Sequence, residues 1–197
     1  MQNFLDPHFL INTFGTIGVL AIVFAESGLF FGFFLPGDSL LFTAGFLASQ
    51  GFLNPVILSA GVTLMAILGD NVGYAFCKKI GPAIFTREDS LFFNKKYIEK
   101  AGIFYEKYGN KTIILARFMP IVRTFAPILA GVGNMNYKKF FTYNCVGGIL
   151  WSTLLLGLGF GLGKTAPNID SYLLPMIIFI VAVSFLPGIY HLIKRKK

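Results

Sequence analysis

Long apolar stretches, two of them cut by proline beside charge, decide what this chain can fold into. Residues 10–35 are apolar except for Glu26, residues 52–77 contain one acid, Asp70, and residues 140–163 and 171–193 are uncharged apart from His191. Each is long enough to supply the about 20 residues that cross a bilayer as a helix. Residues 39–50 are apolar but too short to cross, and residues 112–132 are interrupted by Pro120, Arg123 and Pro127. Stretches of that kind dip and return. The composition agrees, with 55% hydrophobic and 13% charged residues in a chain of 197, where a soluble domain carries about 25% charge. This excludes an ordinary cytosolic enzyme, a disordered tail and a nucleic-acid-binding domain. The net charge of +8 sits beside the apolar runs, as membrane-flanking charge does. The sequence therefore predicts an all-α integral membrane protein with a single membrane domain over residues 1–197. The first apolar stretch lacks a basic n-region and a small-residue cleavage site, so it reads as uncleaved. Cys77 and Cys145 lie in apolar surroundings and read as small core residues.

The two short segments read as broken helices, at Leu35-Pro36-Gly37-Asp38 and across residues 117–123 around Pro120. Proline removes a backbone donor and clashes with the preceding turn. In lipid such a break survives only when buried in protein or facing a wet cavity. Phe33-Phe34-Leu35-Pro36 lines up with Arg117-Phe118-Met119-Pro120, and Thr43-Ala44-Gly45 with Leu129-Ala130-Gly131, each ahead of a long apolar helix. Interrupted segments in corresponding halves mark the binding site of repeated transporter folds, although two unrelated proline kinks would leave the same marks.

Charge sets the orientation. Residues 78–111 hold eight Lys or Arg against four acids, and further basic clusters stand at Lys138-Lys139 and at 194–197. The positive-inside rule makes all three cytoplasmic. The expected organisation is a first half over 10–77 with a re-entrant break at 35–38, a basic amphipathic linker over 78–111, a second half over 112–193 with a re-entrant break at 117–123, and a cytoplasmic tail. The two hairpins then oppose each other like an inverted repeat. Residues 13–35 either cross fully or form one arm of the outer hairpin. In the linker, Thr86 with Asp89 matches a capping box. Tyr97, Ala101, Phe104, Tyr105 and Tyr108 share one helical face, opposite Lys96, Glu99, Lys100 and Lys107, which suits an interfacial helix or a solvated one. Gly131-Val132-Gly133 and the run Gly157, Gly159, Gly161, Gly163 are spaced for close helix packing, and Trp151 reads as an ordinary packing residue.

Charge at bilayer depth costs about 2.5–3.5 kcal/mol or more and signals function. Glu26, Asp38, Asp70, Arg117 and Arg123 are so placed. A desolvated carboxylate can carry a proton near neutral pH, which fits Glu26 and Asp38 as proton-coupling acids. The alternatives are an arginine partner for Glu26 and a helix N-cap for Asp38. Arg117 and Arg123 flank Pro120 and offer planar forks of donors suited to phosphate, with helix N–H groups beginning after the proline. They equally suit internal pairing with Glu26 and Asp38, which would hold an empty site. Asp70 reads either as a half-solvated neighbour of Lys79 or as a partner of a hairpin arginine. Pro36, Gly37 and Pro120 are the expected hairpin tips.

Three motifs resemble one family. Glu26-Ser27-Gly28-Leu29 followed by Leu35-Pro36-Gly37-Asp38-Ser39-Leu40-Leu41 is similar to the first signature of the DedA family, and Gly69-Asp70-x-x-Gly73-Tyr74 to its second. Ala116-Arg117-Phe118-x-Pro120-x-x-Arg123-Thr124-x-x-Pro127-x-x-Ala130-Gly131 resembles the third and most specific. The resemblance implies a multi-pass protein of the bacterial inner membrane, related to eukaryotic lipid scramblases, with two opposed re-entrant hairpins. It implies movement of undecaprenyl phosphate or phospholipid, dependent on the proton-motive force, with Glu26, Asp38, Arg117 and Arg123 matching the family's essential residues. Asp38 stands where many members have glutamate. The expected function is a translocase moving undecaprenyl phosphate from the outer to the inner leaflet. A phospholipid flippase or scramblase, or a proton-coupled transporter of ions or small solutes, is the alternative. Lipid phosphate, membrane lipids and protons are the expected partners, without nucleic acid, and a homodimer is left open. An enzyme is not expected, because His8 and His191 lie near the ends and no aspartate cluster suits a metal; no cofactor and no metal are expected.

Overall fold

The computed structural model describes residues 15–28, 37–84, 109 and 111–165, the side chains of 81–84 and 120–121 excepted. Its elements are helices: α1 (Thr16–Gly28), α2 (Gly37–Ser49), α3 (Pro55–Ile84), α4 (Thr112–Ala116), α5 (Pro120–Val132) and α6 (Tyr137–Thr165). No strand occurs among the described residues. Pro36 with the start of the first break, the linker over 86–108, the stretch 171–193 and the basic tail lie outside them.

Local chemistry accounts for the helix ends. At the head of α3, the Asn54 side-chain oxygen accepts from the backbone N–H groups of Val56 (3.0 Å) and Ile57 (3.1 Å), with Pro55 at the first helical position, where its missing donor costs nothing. Asn136 caps α6 in the same way, accepting from Lys138 (3.0 Å) and Lys139 (3.4 Å). The helices before these caps end alike. Behind α2, Gly51 has φ +85° and Phe52 N–H donates to the Leu47 carbonyl. Behind α5, Asn134 has φ +52° and Met135 N–H donates to the Ala130 carbonyl. Both are left-handed caps that satisfy carbonyls at the last turn, and Gly and Asn are the residues that tolerate them. The local sequence of structure is thus the same twice: a 13-residue helix, a left-handed cap, an Asn N-cap and a helix of 30 or 29 residues.

The second break is shorter than the sequence suggested. The chain leaves the helical path only over Arg117–Met119, with tight i→i−3 bonds and an extended Met119 (φ −117°, ψ 106°), and Pro120 opens α5. Arg123 and Pro127, expected as interruptions, lie inside α5. Pro120 at a first position loses no hydrogen bond, and Pro127 deletes one bond of a helix that its neighbours hold. Likewise α3 continues to Ile84 instead of ending near Lys78.

Among the described residues two helices, at Pro55–Ile80 and Tyr137–Thr165, are long and apolar enough to cross a membrane. Their outward faces carry Leu64, Leu68, Val72 and Phe76 on one and Phe141, Ile149, Leu150, Leu154 and Leu158 on the other, all exposed. Apolar faces of this extent are unusual on a soluble monomer and ordinary against lipid.

The residues gather into two compact units. One draws its described residues from 15–23, 37–62 and 152–165. In it, glycines let α2 and the end of α6 meet backbone to backbone: a Cβ on Gly45 would strike the Leu156 carbonyl, one on Gly159 the Phe42 carbonyl, and one on Gly163 the Ser49 side chain. Gln50 Nε2 then donates to the Gly163 carbonyl at 2.8 Å. Gly157 and Gly161, expected to share this role, meet nothing within 4 Å. At 100° per residue only alternate members of that run can face α2. The other unit draws on 24–28, 63–84, 109 and 111–151 and contains most of the candidate site.

Candidate functional site

The second sequence motif becomes intelligible on α3. Gly69 and Gly73, one turn apart, face the end of α1, where a Cβ on Gly69 would lie 2.9 Å from the Phe24 carbonyl and 3.0 Å from the Gly28 nitrogen. Asp70 and Tyr74 take the adjacent face. The Tyr74 hydroxyl donates to the Met135 carbonyl, its ring stacks on Phe140 at 4.4 Å between centroids, and Lys78 Nζ donates to its oxygen at 3.3 Å. A Cβ on Gly131 would strike the Tyr74 carbonyl. These contacts lock the ends of α5 and α6 to α3.

Asp70 points at the helix break and pairs with Arg117. Arg117 Nη2 also donates to the Asn144 side-chain oxygen and to the Ala66 carbonyl (3.3 Å), while Asn144 Nδ2 donates to the Ile67 carbonyl at 3.1 Å. Asp70 and Arg117 are each 4% exposed and Asn144 is fully buried. Asp70 is therefore the arginine partner and not a half-solvated neighbour of Lys79. The sequence pointed to Asp38 as an internal counter-ion for the arginines, but the carboxylate on Arg117 is that of Asp70. Asp70 reaches it because α3 presents it one turn beyond Ala66, whose carbonyl the same guanidinium binds.

Arg123, one turn into α5, pairs with Glu26 of α1. Its guanidinium lies over the Trp151 ring, 4.8 Å from Cζ to the centroid, a cation–π contact of the kind that strengthens on desolvation. Trp151 thus does more than pack. Thr124, also on the buried side of α5, has an Oγ1 with no hydrogen-bond partner among the described residues, as does Arg117 Nε. The third motif reads as a helix stripe: Arg123, Thr124, Pro127, Ala130 and Gly131 stand at i, i+1, i+4, i+7 and i+8, on one helical face, and are all buried. Asp38 belongs to the other unit, in the first turn of α2, which opens at Gly37.

The unit therefore encloses two ion pairs nested along the chain, Glu26–Arg123 outside Asp70–Arg117, with Asn144 and Trp151 added from α6. Sequence reading missed these last two. A polar Asn in an uncharged run, seven residues ahead of the only tryptophan, was the available signal. No group of three or more His, Cys, Asp or Glu that could hold a metal ion occurs among the described residues.

Residues 35–161 match the model of the VTT domain. The chain belongs to the VTT (DedA) family. Protein DedA of Escherichia coli K12 is 45% identical over 178 residues, covering 89% of this chain and 81% of that protein. An uncharacterized membrane protein of Mycobacterium leprae is 42% identical over 191 residues, covering 94% and 85%. The inner membrane protein YghB of Escherichia coli K12 is 27% identical over 197 residues, covering 97% and 89%. No solved structure matches. This VTT chain is a membrane protein, and its three sequence motifs are the ones that build the paired-charge unit and open α2.

Proposed function

We propose that this VTT protein is a translocase for a lipid phosphate, with undecaprenyl phosphate as its substrate, and not an enzyme. The observation that carries the reading is the pair of buried arginines, each neutralised by a carboxylate from another helix, in a chain whose long helices are apolar outside. Four buried charges are expensive to keep in a bilayer for structure alone. A phosphate monoester carries about −1.5 to −2 charges at neutral pH, close to the sum of the two carboxylates. A phosphodiester has a single ionisable oxygen and carries less negative charge than the monoester, which favours the polyprenyl phosphate. In the cycle, the phosphate replaces Glu26 and Asp70 on Arg123 and Arg117. The carboxylates take protons while displaced, coupling movement from the outer to the inner leaflet to the proton gradient. The isoprenoid tail stays in lipid along the exposed apolar faces.

The twofold recurrence of short helix, left-handed cap, Asn cap and long helix supports two re-entrant hairpins arranged as an inverted repeat. The basic clusters support a cytoplasmic C-terminus, with the protein in the inner membrane of a bacterial cell. Reconstitution into liposomes tests the whole reading: undecaprenyl phosphate and phosphatidylethanolamine are followed side by side, with and without an outer-acidic gradient. Gradient-stimulated inward movement of the polyprenyl phosphate is expected. Movement of the phospholipid alone would transfer the assignment to a phospholipid flippase or scramblase, and movement of neither would remove lipid as the substrate.

A further inference from the structure

We infer that one face of α6, formed by Asn144, Gly147, Gly148 and Trp151, positions both arginines of the site. These residues stand at i, i+3, i+4 and i+7, so they form a single stripe along the helix, and all four are buried. At one end Asn144 accepts from Arg117 through its side-chain oxygen while its nitrogen is committed to the Ile67 carbonyl. That second bond fixes which way the amide points, so the oxygen is held toward the guanidinium. At the other end the Trp151 ring lies under Arg123. Between them the two glycines bring the helix close: a Cβ on Gly147 would sit 2.9 Å from Arg117 Cδ, and one on Gly148 2.9 Å from Ile67 Cγ1 and 3.6 Å from Arg117 Cζ.

The stripe answers a physical need. If a ligand is to replace the carboxylates on the arginines, the guanidinium groups must keep their places once Glu26 and Asp70 let go. A neutral amide and an aromatic face can do this without offering a competing negative charge. Asn144 and Trp151 hold the two guanidinium groups in every protonation state of the acids, because neither titrates in the physiological range. They are positioning residues and make no claim on the ligand themselves. The role in transport rests on the lipid-phosphate reading, while the geometry stands apart from it.

Because Trp151 is the only tryptophan in the chain, its emission reports on Arg123 directly. The first experiment uses the purified full-length protein in nanodiscs and compares the emission of wild type with Arg123→Gln and, as a control, Lys79→Gln. A shift of the emission maximum in Arg123→Gln alone is expected. Spectra that coincide in all three proteins would overturn the stacking of Trp151 on Arg123, whether or not the protein moves lipid. The second experiment measures undecaprenyl phosphate movement in liposomes for Trp151→Phe, Trp151→Leu, Asn144→Gln and Asn144→Leu. Phe keeps a π face, so Trp151→Phe retains activity within about threefold. Trp151→Leu and Asn144→Leu lose at least tenfold, seen chiefly as a raised half-saturating lipid concentration. Equal activity in the Phe and Leu variants of Trp151, with each folded by size-exclusion profile, would refute positioning through the ring. Wild type that moves no lipid, with the emission shift intact, would refute the transport reading and leave the stripe in place.

Discussion

Replacing Asp70 by Asn is the sharpest probe of the paired charges. The substitution preserves size and one oxygen, and it removes the charge that neutralises Arg117. Arg117 would keep its bonds to Asn144 and the Ala66 carbonyl, but its charge would remain 4% exposed and uncompensated. Breaking a buried pair from one side costs about 3–5 kcal/mol. In a membrane the unfolded reference also finds partners, which pulls the figure toward the lower end. The double variant Asp70→Asn/Arg117→Gln leaves no charge at this pair, and its amides can still bond across the same gap. It should lie within about 1–2 kcal/mol of wild type, because neutral replacement of a buried pair is often nearly free. The cycle of single and double variants therefore has a coupling of at least about 2 kcal/mol, well above the about 0.3–0.5 kcal/mol scatter of independent sites. Equilibrium unfolding in mixed micelles with increasing dodecyl sulfate, followed by circular dichroism, reads each free energy. Costs that simply add would show that Asp70 and Arg117 do not act as a pair.

Three further outcomes follow from particular contacts. Glu26→Gln should flatten the pH dependence of lipid movement in liposomes, leaving only the part carried by Asp70, while the protein still inserts; an unchanged pH profile would make Glu26 a purely structural acid. Gly131→Ala, whose methyl would meet the Tyr74 carbonyl, should lower stability by about 1–3 kcal/mol through overpacking. Gly157→Ala meets nothing and should be neutral or slightly stabilising through helix propensity, so thermal unfolding that ranks the two alike would contradict the packing. Tyr74→Phe keeps the stack on Phe140 but loses the bond to the Met135 carbonyl, with an expected cost of about 1 kcal/mol, and a midpoint unchanged from wild type would deny that bond any weight.

The spacing of Arg123, Thr124, Pro127, Ala130 and Gly131 already carried the buried stripe of α5, since helical periodicity is a local property. Overall polarity carried the membrane assignment for the same reason, because it depends on composition and run length alone. The narrowness of the second break was not legible: a proline marks that a helix is interrupted, but whether it opens a helix or ends one depends on what satisfies the neighbouring carbonyls. Glycine runs were legible only in part, as Gly159 and Gly163 meet a neighbour and Gly157 and Gly161 do not.

By itself the sequence determined that charged residues would be buried in an apolar chain, because a bilayer forbids stranding them in hydrocarbon, and four of the five it pointed to, Glu26, Asp70, Arg117 and Arg123, are buried, whereas Asp38 is half-buried. It did not determine their partners. Asp38 and Asp70 are equivalent as carboxylates, and only the tertiary packing decided that Asp70 meets Arg117. The Asn144 and Trp151 contacts were likewise decided by the approach of α6, which Gly147 and Gly148 permit by leaving no side chain in the way. Which charge exists is written in each residue, whereas which charges touch depends on helices far apart in the chain coming within hydrogen-bonding range.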